Sequence, residues 1–233
     1  MIHHDIATKT STTSYFFDGE LEVFPNNTEI ISFGYCFNQE LKENVLPCSL
    51  HTLICGDSYN KEIKENVLPD SLHTLIFGYN YNQEIKENVL PVSLHTLNLG
   101  SHFNQELKEN VLPNSLHTLR FGWHFNQKIN ENVLPNSLHT LTFGYWFNQE
   151  IKDNVLPKTI KKITLYSHCN LINYLPLHLE EVFIHFNWHN SDKTNKEITN
   201  LPTTLERITI MYKEYLKYII KIPFGCEITI LRS

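Results

Sequence analysis

Pro25, Pro47, Pro69, Pro91, Pro113, Pro135 and Pro157 stand 22 residues apart, and no other feature of the chain restricts its fold as strongly. Gly34, Gly56, Gly78, Gly100, Gly122 and Gly144 keep the same interval, as do Asn38, Asn60, Asn82, Asn104, Asn126 and Asn148. The words ENVLP and SLHTL recur almost letter for letter, first at residues 43–47 and 49–53. A short fixed period of this kind belongs to stacked-repeat architectures, in which one unit cannot bury its apolar face without a neighbour.

Within one unit, Leu75 and Phe77 alternate with Thr74 and Ile76, and Gly78 closes the run. That is how a strand with one buried face reads. Leu72, Leu75 and Phe77 also match the L-x-x-L-x-L core of a leucine-rich repeat. The second half of the unit carries Tyr81, Ile85, Val89 and Leu90 as its apolar residues and ends in proline. So short a non-periodic stretch argues against a long helix and predicts an extended or single-turn return arm.

Stacked units place strand beside strand about 4.8 Å apart, and crossover chirality predicts a right-handed coil. Roughly ten candidate strands give a rod about 45 Å long at that spacing. The expected fold class is a repeat solenoid, leucine-rich-repeat-like, with a parallel β-sheet on one face and mostly non-helical return arms. Residues 1–24 read as a polar leader and N-terminal cap, and residues 25–233 as a single repeat solenoid. Its units are regular over 25–157 and degenerate over 158–210, where proline intervals change and the glycine is lost. Residues 211–233 read as a C-terminal cap, with a short helix predicted from the spacing of Tyr212, Tyr215, Leu216 and Ile219.

Copied polar positions have mechanical readings. The Asn38–Asn148 amides can satisfy turn backbone groups that would otherwise be buried without partners. Each turn glycine serves either a positive φ or a close approach of coils. His51, His73, His95, His117 and His139 predict a stacked structural ladder. A metal stripe is the lesser reading, because no carboxylate or thiol accompanies each imidazole at a fixed offset. Ser71 beside His73 lacks an acidic orienting group, and neither G-x-S-x-G nor a phosphate-binding G-x-x-x-x-G-K-[ST] occurs. No catalytic residue, metal site or cofactor is expected, and the Glu and Lys residues of the return arm read as a solvated face.

Composition narrows the remaining classes. The formal net charge is −6 and basic residues are not clustered, which disfavours nucleic acid as a partner. No run reaches the roughly 18–20 apolar residues that span a bilayer, and the first 14 residues lack a signal peptide's apolar core. The five cysteines form no C-x-x-C pair and are odd in number, as in a reducing compartment. A cytoplasmic protein with no membrane partner is the expectation.

Specificity must then reside where units differ. On the outward strand face the residue changes through Ser32, Ile54, Ile76, Asn98, Arg120 and Thr142. Past each glycine it changes again, and aromatics gather in later units as Arg120, Trp123, His124, Tyr145 and Trp146, preceded by Tyr79 and His102. Trp, Tyr and Arg dominate binding hot spots, so these seven residues are the candidate partner-binding surface. The competing reading makes the aromatics neutral filler between coils.

The unit F-N-Q-E-I…V-L-P-x-S-L-x-x-L-x-F-G resembles the FNIP repeat, a leucine-rich-repeat-like unit of amoebae and amoeba-infecting giant viruses. The likeness covers at least residues 24–157, with F-N-Q-E (103–106, for example) where the family has F-N-I-P. The abundance of Asn, Ile, Lys, Tyr and Phe follows A/T-rich codons and agrees with such an origin. The resemblance implies protein–protein interaction and brings no catalytic residue. The expected function is therefore a non-enzymatic interaction module with a protein partner. Alternatives are a self-assembling scaffold, monomer against end-to-end oligomer, or small-ligand or glycan binding on the aromatic stripe.

Overall fold

The computed structural model describes residues 14–17, 21, 24–152, 154–173, 175–186 and 197–232. Each S-L-H-T-L word delivers one short strand, because the preceding turn is tight: the Leu72 N–H donates to the Pro69 carbonyl at 3.0 Å. The strands are β1 (Ser14–Phe17), β2 (Ile30–Phe33), β3 (Thr52–Ile54), β4 (Thr74–Ile76), β5 (Thr96–Asn98) and β6 (Thr118–Arg120). They continue as β7 (Thr140–Thr142), β8 (Lys162–Tyr166), β9 (Glu181–His185), β10 (Arg207–Tyr212) and β11 (Glu227–Arg232). All eleven form one sheet in chain order, and every neighbouring pair is parallel.

The register converts the sequence period into columns. Leu53, Leu75, Leu97, Leu119 and Leu141 are directly paired neighbours and wholly buried. The return arm supplies the opposite wall of the core with Tyr81, Ile85, Val89 and Leu90, all buried. Between the walls runs the column Phe37, Tyr59, Tyr81, Phe103, Phe125 and Phe147, with ring centroids 6.0–6.2 Å apart and planes within 14° of parallel.

Polar repeats tie each coil to the one before. The Oδ1 of Asn82 accepts the Asn104 N–H at 2.9 Å, and the same bond recurs from Asn38 to Asn148. Ser71 Oγ donates to the Leu50 carbonyl at 2.7 Å, and Ser49, Ser93, Ser115 and Ser137 repeat the pattern. The Ser hydroxyls are thus committed to coil-to-coil bonds. On the outer surface Lys64–Glu40, Lys86–Glu62 and Lys108–Glu84 form a further ladder at 2.6–2.7 Å, screened by solvent.

Four details sharpen or change the sequence expectations. The described residues form eleven strands, the additional one being β1, within the segment read as leader and cap. Strands β3 to β7 hold three residues each: the Leu72 N–H before the strand is taken by Pro69, whereas the Phe77 N–H after it still donates to the Asn98 carbonyl of the next coil. The turn glycines serve close approach: a Cβ on Gly56, Gly78, Gly100, Gly122 or Gly144 would lie 1.8–2.2 Å from the previous glycine's carbonyl oxygen. Positive φ belongs instead to the Asn of each E-N-V or D-N-V word, from Asn44 to Asn154, at 61–72°. Asn tolerates this left-handed conformation better than other side chains that carry a Cβ.

At the C-terminal end the predicted helical turns are present as a 3-10 helix, Lys213–Tyr218. Its Tyr215 and Tyr218 stack on the buried Phe186 at 4.8 and 5.6 Å. A second 3-10 helix, Asn170–Asn173, lies between β8 and β9.

Candidate functional site

Because a side chain at each turn glycine would collide with the coil before it, Gly78, Gly100, Gly122 and Gly144 form a strip of bare backbone across the sheet. That strip is the floor of a groove of about 390 Å³. One wall is the outward strand column Asn98, Arg120, Thr142 and Thr164. The other is the column just past each glycine: Asp57, Tyr79, Ser101 and Trp123.

The pairing of Thr142 with Thr164 puts Tyr166 at the place the glycines occupy in earlier coils, and His185 pairs with Tyr166. Their rings lie 4.8 Å apart and close the groove where the glycines stop. The longer strands β8 and β9 carry side chains there without the tight bend.

Electrostatics differ along the groove. Arg120 is exposed, and among the described residues it makes no ion pair. Burial lowers the pKa of His185, and the nearby Arg120 charge lowers it further. Burial raises that of Tyr166, while Arg120 opposes the rise. At the opposite end Asp57 accepts the Tyr79 N–H at 3.2 Å.

The sequence-derived surface residues separate into two groups. Tyr79, Arg120 and Trp123 line the groove together. Tyr145 stacks on Trp123 at 4.8 Å with planes 8° apart, and it meets Tyr166 edge-on at 5.0 Å. His102, His124 and Trp146 lie outside the lining, one position further along their turns. His102 packs on Tyr79 at 4.4 Å and on His124 at 4.7 Å, and Nδ1 of His124 donates to the Ser101 carbonyl. Trp146 meets only the edge of Tyr145, at 5.2 Å, and is 54% exposed.

Tyr145 is stacking support, whereas Tyr79, Trp123 and Trp146 present exposed apolar surface.

The histidine ladder lies elsewhere, at the start of the strands. Its successive rings are 5.1–5.3 Å apart, and His51, His73, His95 and His117 are exposed. Among the described residues, no three His, Cys, Asp or Glu side chains converge as metal ligands. No helix of the described residues is long and apolar enough to cross a membrane. Tyr166 and His185 escaped the sequence reading, which places Asp57 in the variable column past the glycines without singling it out. Asp57 occupies a column otherwise mostly aromatic, and the other two fall in degenerate units. Counting on from the Thr142–Thr164 alignment is the signal that finds Tyr166.

A family model for the FNIP repeat matches residues 17–58, 59–102, 103–146 and 147–187, each match spanning about two coils. The chain belongs to the FNIP repeat family. Among solved structures, this FNIP protein is similar to CroV588, a circular leucine-rich-repeat protein of a giant virus. The two share 45% identity with a TM-score of 0.75, over 89% of this chain and 31% of that one. This FNIP chain therefore spans under a third of CroV588. A leucine-rich-repeat protein from Bacteroides ovatus aligns at 14% identity and a TM-score of 0.21, over 89% of this chain and 68% of its own. Among curated proteins no match is found. Family and neighbour together make the fold a leucine-rich-repeat-like solenoid of parallel strands.

Proposed function

We propose that this FNIP protein is a non-enzymatic protein-interaction module that binds through the glycine-floored groove and its aromatic rim. The observation that carries this reading is Trp123 and Trp146, 46% and 54% exposed on adjoining columns of a rigid sheet. Large aromatics left in water beside a concave surface are typical anchors of a binding hot spot. A scaffold held by coil-to-coil hydrogen bonds loses little conformational entropy on binding.

The test is affinity capture with wild-type protein and the double variant Trp123→Ala/Trp146→Ala, after matched thermal melts. The expected result is at least one protein recovered by wild type and lost from the variant. Identical recovery from both removes the proposed surface.

End-to-end assembly is a second reading, favoured by the C-terminal coil. Ile228 and Ile230 of β11 are only half-buried, and Phe224 is fully exposed beside Ile220 and Ile222. Exposed apolar side chains gathered in one coil offer a contact surface for another copy of the chain. Sedimentation velocity over a hundredfold concentration range is expected to show growing oligomers that Phe224→Lys abolishes. One unchanging monomer sedimentation coefficient removes this reading.

A further inference from the structure

We infer that the glycine-floored groove receives an extended acidic segment of a protein partner, with the Arg120 guanidinium as the receptor for its carboxylate. The inference rests on the interaction reading above and names the chemistry of the partner.

The chain has three arginines, and two of them have side-chain partners within the fold. Arg207 pairs with Glu181 at 3.1 Å, and Arg232 donates to the Tyr212 hydroxyl at 3.4 Å. Arg120 has neither kind of partner among the described residues, although the chain as a whole carries an excess of acidic groups. It stands on the groove wall, next to Thr142 and close to Tyr166 and His185, which block the groove beyond it. A guanidinium offers a planar fork of donors suited to a carboxylate, and aromatic walls reduce the competition from water.

The floor argues for a peptide. No side chain rises from the floor, so an extended segment can lie across the coils, over Gly100, Gly122 and Gly144, which are themselves buried. Asp57 lies at one end of the lining and Arg120 midway along it on the other wall, three coils further, about 14 Å along the stack at the usual strand spacing. Four residues of extended chain cover that distance at about 3.4 Å each. The favoured segment thus carries an acidic residue for Arg120 and a basic one about four positions away for Asp57. Between these positions Tyr79 and Trp123 offer apolar contact.

The test uses a phage-displayed library of random 12-residue peptides selected on the whole chain, with the Arg120→Gln and Arg120→Glu variants. Arg120 is exposed, so both variants are expected to melt as wild type does. The expected result is enrichment of Asp- or Glu-containing peptides that bind Arg120→Gln at least about tenfold more weakly. Arg120→Glu is expected to select basic peptides in their place. Peptides that depend on Trp123 but show no acidic bias, and bind Arg120→Gln unchanged, overturn this inference and leave the interaction reading standing. Absence of any enrichment also overturns it, and the Trp123/Trp146 capture experiment then decides the broader reading. Preferential binding of an alginate trisaccharide, lost in Arg120→Gln, overturns it in favour of an acidic sugar.

Discussion

Gly122→Ala is expected to lower the urea midpoint far more than any surface change, although it adds a single methyl group. The new Cβ would lie 1.8 Å from the Gly100 carbonyl oxygen and 2.7 Å from the Gly100 carbonyl carbon. Neither atom can yield cheaply. The Gly100 carbonyl also accepts the Phe103 N–H at 3.0 Å, so moving it breaks the turn that seats a core ring. Separating the two coils instead would stretch the adjacent β5–β6 pairing and the bond from Asn126 N–H to Asn104 Oδ1. Over-packing in a core ordinarily costs about 1–3 kcal/mol. Here the obstacle is backbone, and the expected loss is about 4 kcal/mol or more. Urea denaturation followed by circular dichroism checks it, with Ser101→Ala in the same column region as the control. A Gly122→Ala midpoint within error of wild type would mean that the coils are further apart than described.

Phe103→Ala is expected to cost about 3–5 kcal/mol. Phe103 is wholly buried, with its ring 6.2 Å from both Tyr81 and Phe125 in the stacked column. Removing it opens a void bounded above and below by rings that cannot slide inward, because each is fixed by its own turn. The Tyr81 and Phe125 N–H groups donate to Gly78 and Gly122. Such a site relaxes little, which places the cost at the upper part of the large-to-small range. Phe103→Leu keeps most of the volume and is expected to lose less than half as much. Equal midpoints for the two variants would show that the cavity closes.

These two positions also mark how far the sequence could be read. The 22-residue period sets the pairing of Leu53 with Leu75, and onward, because only that register superimposes identical letters. It likewise identifies the buried aromatic column, since an aromatic stands before each ladder asparagine.

Atomic reasons were less legible. A recurring glycine fits both a left-handed turn and a tight contact, and only the positions of neighbouring coils distinguish them. The left-handed residue proved to be Asn in each E-N-V or D-N-V word, which looks like an ordinary solvated side chain in a polar stretch.

The candidate groove was half visible. Tyr79, Arg120 and Trp123 stood out because they vary against a constant background. Tyr166 and His185 did not, because their units have lost the words that make counting easy. What reveals them is spatial substitution: a ring where every earlier coil has a hydrogen atom.

Coils that meet through one recurring set of bonds have a consequence for growth of the gene. Inserting or deleting a whole copy leaves every junction between neighbours chemically unchanged, so copy number can drift without a new fold having to be found. Any such event between Asp57 and Arg120 would move the two charges by one strand spacing, about 4.8 Å. For the segment proposed to bridge them, the groove would be a ruler graduated in duplications, its length reset by recombination alone.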